Sequence, residues 1–216
     1  MKILLTIEYN GNNFSGWQSQ PEKRSVQGEI EKILVNLFQK EIKIYGSGRT
    51  DAGVHAFGQT AHFEIDKIIF DNKFNSSKEN KKSVKQSLTR FIEAMNSLLP
   101  KDIKILKVKK VTNKFHARYD IKEKIYLYKM ETNTKLHSPL LNGFVGTVKQ
   151  SLDIEKMKEG ANYLIGEHNF TSFSSAKTEV KDFTRIINYI NIKKKGNIFT
   201  FEISGNGFLY NMVRII

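Results

Sequence analysis

Apolar residues along this chain recur with two periods, and each change of period marks an element. Ile3 to Tyr9 alternates apolar and polar positions and predicts a strand. Ser25 is placed as a helix N-cap, and Val26, Ile30, Ile33, Leu34, Leu37 and Phe38 then recur at spacings of three and four, which predicts an amphipathic helix to about Lys40. Ile42 to Tyr45 reads as a short strand running into a glycine-rich loop, and Phe57 to Ile65 resumes as strand. The polar run Asp71 to Lys82 reads as a loop. Val84, Leu88, Phe91, Ile92, Met95, Leu98 and Leu99 make a second amphipathic helix, which Pro100 stops, and Ile103 to Val111 alternates again as a strand.

That order, β-α-β-β-α-β, is the ferredoxin-like (RRM-like) unit. The second half begins the same way. Ile121 to Met130 reads as a strand, and Asp153 caps a helix carrying Met157, Ala161, Leu164 and Ile165. Thr184 to Ile192 and Ile198 to Ile203 form a hairpin, with Phe199, Phe201 and Ile203 on one face. Phe208 to Ile216 reads as the opening of another helix. The expectation is an α+β protein of two ferredoxin-like halves, residues 1–111 and 112–216. The halves form one mixed, mostly antiparallel sheet, with helices on one face and a cleft between them. The second half is expected to be incomplete, lacking a helix end and a closing strand, so that the sequence reads as a piece of a longer chain.

Charge narrows the partner. The 216 residues carry 35 Lys and Arg against 22 Asp and Glu, a formal net charge of +13, which points to a polyanion such as nucleic acid. A general lysine bias, visible in 71–82 and 191–197, accounts for part of it. With no cysteine, disulfides, thiolate metal sites and cysteine nucleophiles are excluded. The run Met1 to Glu8 is too short for a signal peptide, and no apolar run reaches membrane-spanning length, so a cytoplasmic protein is the default expectation.

Candidate chemistry centres on Gly48-Arg49-Thr50-Asp51-Ala52-Gly53-Val54-His55-Ala56. Glycines here permit tight turns and close approach of backbone to a ligand. Arg49 is a natural phosphate partner. The plain alternative is a tight turn with no chemistry. Gly46-Ser47-Gly48-Arg49-Thr50-Asp51 has Asp where a dinucleotide fingerprint wants its third small residue, and it lacks the Gly-Lys-Ser/Thr ending of a phosphate loop. The histidines at 55, 62, 116, 137 and 168 show no metal-ligand spacing and read as structural or surface residues. A metal-dependent phosphodiesterase would require further clustered carboxylates, which do not accompany Asp51. A catalytically silent RNA-binding module is the other alternative, although the aromatic pattern of RRM domains is not evident.

At this loop the chain resembles the TruA family of tRNA pseudouridine synthases. Tyr9-Asn10-Gly11-Asn12-Asn13-Phe14-Ser15-Gly16-Trp17-Gln18-Ser19-Gln20 resembles the family's N-terminal signature, and Ser25-Val26-Gln27-Gly28-Glu29-Ile30-Glu31 its first helix. Phe115-His116-Ala117-Arg118-Tyr119 with Lys124-Ile125-Tyr126-Leu127-Tyr128 resembles its central motif. Gly166-Glu167-His168-Asn169-Phe170-Thr171-Ser172-Phe173 and Gly207-Phe208-Leu209-Tyr210-Asn211-Met212-Val213-Arg214 resemble its C-terminal motifs. The resemblance implies isomerisation of uridine to pseudouridine at positions 38, 39 and 40 of the tRNA anticodon arm, by a homodimer, with neither cofactor nor metal. It implies Asp51 as the nucleophilic carboxylate, Arg214 as the cation paired with it, and Arg49 as a phosphate contact that holds the loop after the base flips out. Tyr126 would be the ring stacked on uracil. Strand periodicity alone places Tyr126 and Tyr128 on one face and does not choose between them. The resemblance also implies a further helix segment and strand beyond the Met-Val-Arg motif.

Overall fold

In the computed structural model, residues 1–75, 84–132, 138–175 and 180–216 are described. They fall into two compact units, Met1–Asp120 and Ile121–Ile216. The division comes later than the expected 111/112 boundary because the segment after residue 111 is tied back to the first unit. Lys2 Nζ donates to the Phe115 carbonyl at 2.7 Å, and the Ala117 N–H donates to His62 Nδ1 at 3.1 Å.

The first unit runs β1 (Lys2–Tyr9), α1 (Val26–Phe38), β2 (Ile44–Gly46), β3 (Ala56–Glu64), α2 (Lys67–Phe74), α3 (Val84–Leu98) and β4 (Ile103–Val111). Its strands lie in the order β2-β3-β1-β4, every pair antiparallel. Ser25 caps α1 by accepting from the Gly28 N–H at 3.2 Å, and the helix ends where Gln39 turns left-handed at φ 53°. Glu31 Oε1 accepts from the Ile44 N–H at 2.9 Å and so pins the helix to β2. Asn96 on α3 does the same for β4, accepting from the Ile105 N–H at 2.8 Å and donating to the Ile105 carbonyl at 2.9 Å. A bulge opposite Thr6 and Ile7 inserts Leu106 and shifts the alternation of β4, so Ile103, Ile105 and then Val108 face the core.

Helix α2 overturns the expected loop from Asp71, since it extends through Phe74. Asp66 caps it by accepting from the Ile68 N–H at 2.7 Å. Only Phe70 and Phe74, one turn apart, are buried, so its sequence carries almost no amphipathic signal. The rest of the expected loop lies outside the described residues. These two rings join Phe38 and Phe91 in a cluster with centres 5.1 to 6.1 Å apart.

The second unit runs β5 (Lys124–Thr132), β6 (Gly146–Val148), α4 (Ile154–Asn162), β7 (Gly166–Asn169), β8 (Thr184–Lys195), β9 (Ile198–Gly205) and α5 (Met212–Ile215). Its strands lie in the order β6-β5-β9-β8-β7, with β6 parallel to β5 and the other pairs antiparallel. Thus the described strands make two sheets rather than the expected one. Asp153 caps α4 through the Glu155 and Lys156 N–H groups, but the helix stops at Asn162, before Leu164 and Ile165. Strands β6 and β7 are absent from the expectation because each is only three or four residues long and has no buried residue. Phe170, Ile187, Ile203, Leu209 and Met212 form the core of this unit. The architecture is a mixed α+β one.

The aromatic cluster sets the first stability prediction. Phe91 is fully buried and touches three other rings of the cluster, so Phe91→Ala should cost about 3–5 kcal/mol of unfolding free energy, read as a lower denaturant midpoint.

Candidate active site

The loop that carries Asp51 is held by main-chain hydrogen bonds together with the side chains of Tyr9, Thr50, His55 and Gln59. Its entry is fixed by the Ser47 N–H, which donates to the Thr60 carbonyl at 2.8 Å, and by Gln59 Nε2, which donates to the Gly48 carbonyl at 2.7 Å. Its middle is fixed by the Trp17 N–H, which donates to the Thr50 carbonyl at 3.0 Å, and by a 2.7 Å hydrogen bond between the Tyr9 and Thr50 hydroxyls. Beyond Asp51, the Gly53 N–H donates to the Phe14 carbonyl at 3.3 Å. The Gly11 N–H donates to His55 Nδ1 at 3.1 Å, which gives His55 a structural role.

Asp51 opens a reverse turn. The Val54 N–H donates to its carbonyl at 3.2 Å, and Gly53 takes φ +77°, the value wanted at the third residue of a type II turn. The tight-turn reading of the sequence is therefore correct as geometry. Both Asp51 and Arg49 are exposed. Each takes part in the loop as an outward-facing charge rather than as a core residue.

Two glycines of the 9–17 segment make the packing possible. A Cβ on Gly11 would stand 2.1 Å from the Val54 carbonyl oxygen, and one on Gly16, at φ +103°, would stand 2.6 Å from that of Thr50. Neither place admits a side chain. The segment is fastened at its other end by Arg24. Its Nη1 and Nη2 donate to the two Asp102 carboxylate oxygens at 2.7 and 2.9 Å, its Nε donates to Glu29 at 3.3 Å, and its guanidinium lies 4.2 Å from the Phe14 ring centre. Hydrogen bonding to Asp102 first, and its charge after that, raise the Arg24 pKa. Arg24 carried no signal in the sequence beyond its charge, because its partner is 78 positions away.

The other two expected residues belong to the second unit. Tyr126 is half-buried on β5, opposite Ile203 of β9, and meets Phe208 edge to face at 5.1 Å. Tyr128 is more exposed, with its hydroxyl against Gly146, so the strand face they share presents two different surroundings. Arg214 is exposed on α5, whose first turn is bonded to the Asn211 carbonyl, Asn211 itself being left-handed at φ 61°. Phe208 packs on the cluster containing Met212, so Tyr126 and Arg214 rest on a common core. Among the described residues no group of three or more histidine or carboxylate side chains is placed to hold a metal ion, and no helix is long and apolar enough to cross a membrane. His137 lies outside the described residues.

His62 was expected only as one structural histidine among several. It is 1% exposed, near the end of β3, and its Nδ1 accepts the Ala117 N–H. Burial first, then the charges of His116 and Lys2, push it down to about 4. An unfolded histidine protonates near ~6.5, so between those values the unfolded chain holds the extra proton and stability falls as pH falls. NMR titration of the His62 ring should give a midpoint near 4. His62→Gln, which keeps an acceptor for Ala117, should lose that part of the pH dependence of the unfolding midpoint.

Comparison of the sequence with known proteins places the chain in a family. A sequence model of the family described as tRNA pseudouridine synthase matches residues 5–120 and 161–216. The chain is 42% identical to tRNA pseudouridine synthase A of Oceanobacillus iheyensis, over all of the chain and 79% of that protein. It is 41% identical to the protein of the same name from Bacillus pumilus, over all of the chain and 81% of the relative. It is 40% identical to tRNA pseudouridine synthase A 2 of Clostridium tetani, over 99% of the chain and 80% of the relative. With its site loop, both matched segments and these relatives in agreement, the chain belongs to the tRNA pseudouridine synthase family.

Proposed function

We propose that the protein isomerises uridine to pseudouridine at positions 38, 39 and 40 of the tRNA anticodon stem-loop, with Asp51 as the nucleophilic carboxylate. The observation that carries this is an exposed carboxylate at the head of a turn whose backbone is fixed before, at and after it. Such a group meets a substrate without first losing conformational freedom.

The reaction breaks the N1–C1′ bond, turns the uracil and joins C5 to C1′. The C5 proton is lost and N1 gains one, so the atoms balance without a redox partner or energy donor. The target base must leave the helical stack, at a cost of a few kcal/mol that backbone contacts offset. The excess of lysine and arginine supplies those contacts. Arg49, two positions from Asp51 and exposed, is assigned to RNA phosphate and to holding the loop while the base is out. Arg214 is assigned the role of the cation that pairs with Asp51. Tyr126, braced by Phe208, is assigned to stack on uracil and keep the detached base from escaping. The resemblance supports a homodimer acting in the cytoplasm. The strand order β2-β3-β1-β4, and the order β5-β9-β8 within the second sheet, support the reading of both units as ferredoxin-like halves, with α2, β6 and β7 as additions.

Pseudouridine mapping of the anticodon arm after incubation with the protein tests the reaction. Asp51→Ala should lower conversion by at least ~100-fold and leave most tRNA binding intact. Conversion by Asp51→Ala at the original rate would overturn the assignment. Activity should also be indifferent to chelators, whereas a metal-dependent phosphodiesterase would be silenced and would cut the strand.

A further inference from the structure

Four rings on the first unit are stacked together and take no part in the chemistry above. Tyr45 on β2 lies over His62 with centres 5.2 Å apart and planes 23° from parallel. His116 meets His62 edge to face at 4.7 Å and Tyr45 at 5.8 Å. Tyr119 lies on His116 at 4.5 Å with planes 31° apart. The innermost ring is buried, but Tyr45 is 50% and Tyr119 77% exposed. A single exposed tyrosine is ordinary. Two of them backed by a packed imidazole pair are a built surface.

The turn that presents the outer rings is fixed at nearly every N–H. Phe115 donates to the Thr112 carbonyl, and Tyr119 and Asp120 both donate to that of His116. The His116 N–H donates to Asp120 Oδ2 at 2.7 Å, so that carboxylate is occupied in closing the turn. Ala117 and Arg118 donate to Nδ1 of His62 and His116, at 3.1 and 3.2 Å. A ring nitrogen that accepts a hydrogen bond carries no proton, so the buried His62 imidazole is neutral in this arrangement. Exposed cations flank the rings within two chain positions: Lys43 beside Tyr45, and Lys114 and Arg118 beside His116 and Tyr119. Tyr45 directly precedes Gly46, where the chain leaves β2 for the Asp51 loop.

Exposed π-faces with cations at their border match an unpaired nucleobase and its phosphates. We infer that Tyr45, His116 and Tyr119 form a second base-stacking subsite, taking an unpaired base of the RNA substrate other than the one that reaches Asp51. The inference rests on the RNA reading proposed above. Because Tyr45 and Asp51 lie on one tied segment, a base held on the rings fixes the register of the strand at the loop.

Ultraviolet cross-linking of tRNA, followed by peptide mapping, together with tRNA affinity and steady-state kinetics, tests this. Cross-links are expected on the peptides containing Tyr45 and residues 115–120. Tyr119→Ala should weaken tRNA binding at least ~5-fold and raise KM in step, with kcat little changed, while Tyr119→Phe stays within about twofold of the original. Normal conversion with unchanged affinity in Tyr119→Ala, or a change in its sedimentation from dimer to monomer with unchanged affinity, would overturn the subsite alone. The second result would make the surface a contact between copies of the chain. Absence of both conversion and tRNA binding in the unsubstituted protein would overturn the parent reading and this one with it.

Discussion

The place of Asp51 in this chain depends on one stretch of backbone lying directly on another. Residues 9–17 and 50–55 approach so closely that carbonyl oxygens occupy the space where Gly11 and Gly16 would otherwise carry side chains. Contact of this kind is short-ranged and geometrically exact in its demands, since peptide groups neither rotate nor extend as side chains do. It places Thr50 and Gly53, and Asp51 between them, at fixed points relative to β1. The Arg24 clamp then fixes the far end of the same segment to Asp102, so the loop inherits its position from α1 and from the turn before β4. A bidentate guanidinium pair suits that task because it resists rotation as well as separation.

The layer behind the loop follows a different logic. His62 and Lys2 are polar groups buried in the first unit, and each is satisfied. His62 accepts from Ala117, and Lys2 donates to Phe115 and pairs with Glu64 at 3.1 Å. Buried polar groups without partners are costly, and with partners they specify arrangement. Here they fix the segment 115–120 against β3, and with it the stack of rings. The first unit therefore has an apolar core on one side, centred on the phenylalanine cluster, and a polar, hydrogen-bonded arrangement around β2 and β3.

Local periodicity made most of the fold legible. The caps at Ser25 and Asp153, the helix stop at Pro100 and the strand Ile103–Val111 could all be read because each depends on residues within a few positions. Helix α2 was hidden by its polar composition, and β6 and β7 by their brevity, since pairing rather than patterning makes them strands. Asp51 and Arg49 stand in one contiguous motif, so both could be singled out as candidates. The residues that hold the loop were not. Tyr9 reaches Thr50 across 41 positions and Gly11 reaches His55 across 44, and nothing in either neighbourhood announces the other. The role of Arg24 and the depression of His62 are likewise products of distant burial and distant charge.

The fastening of the loop through main-chain atoms has a consequence for how such a chain can vary. A hydrogen bond between peptide groups survives replacement of most side chains, so the loop's shape is nearly independent of the identity of Asn12, Asn13 or Ala52. It is strictly dependent on the absence of a side chain at Gly11 and Gly16. Substitution can thus rewrite the outward surface while the Asp51 carboxylate stays where it is. Tolerance to substitution and constancy of the loop's shape come from the same few backbone contacts.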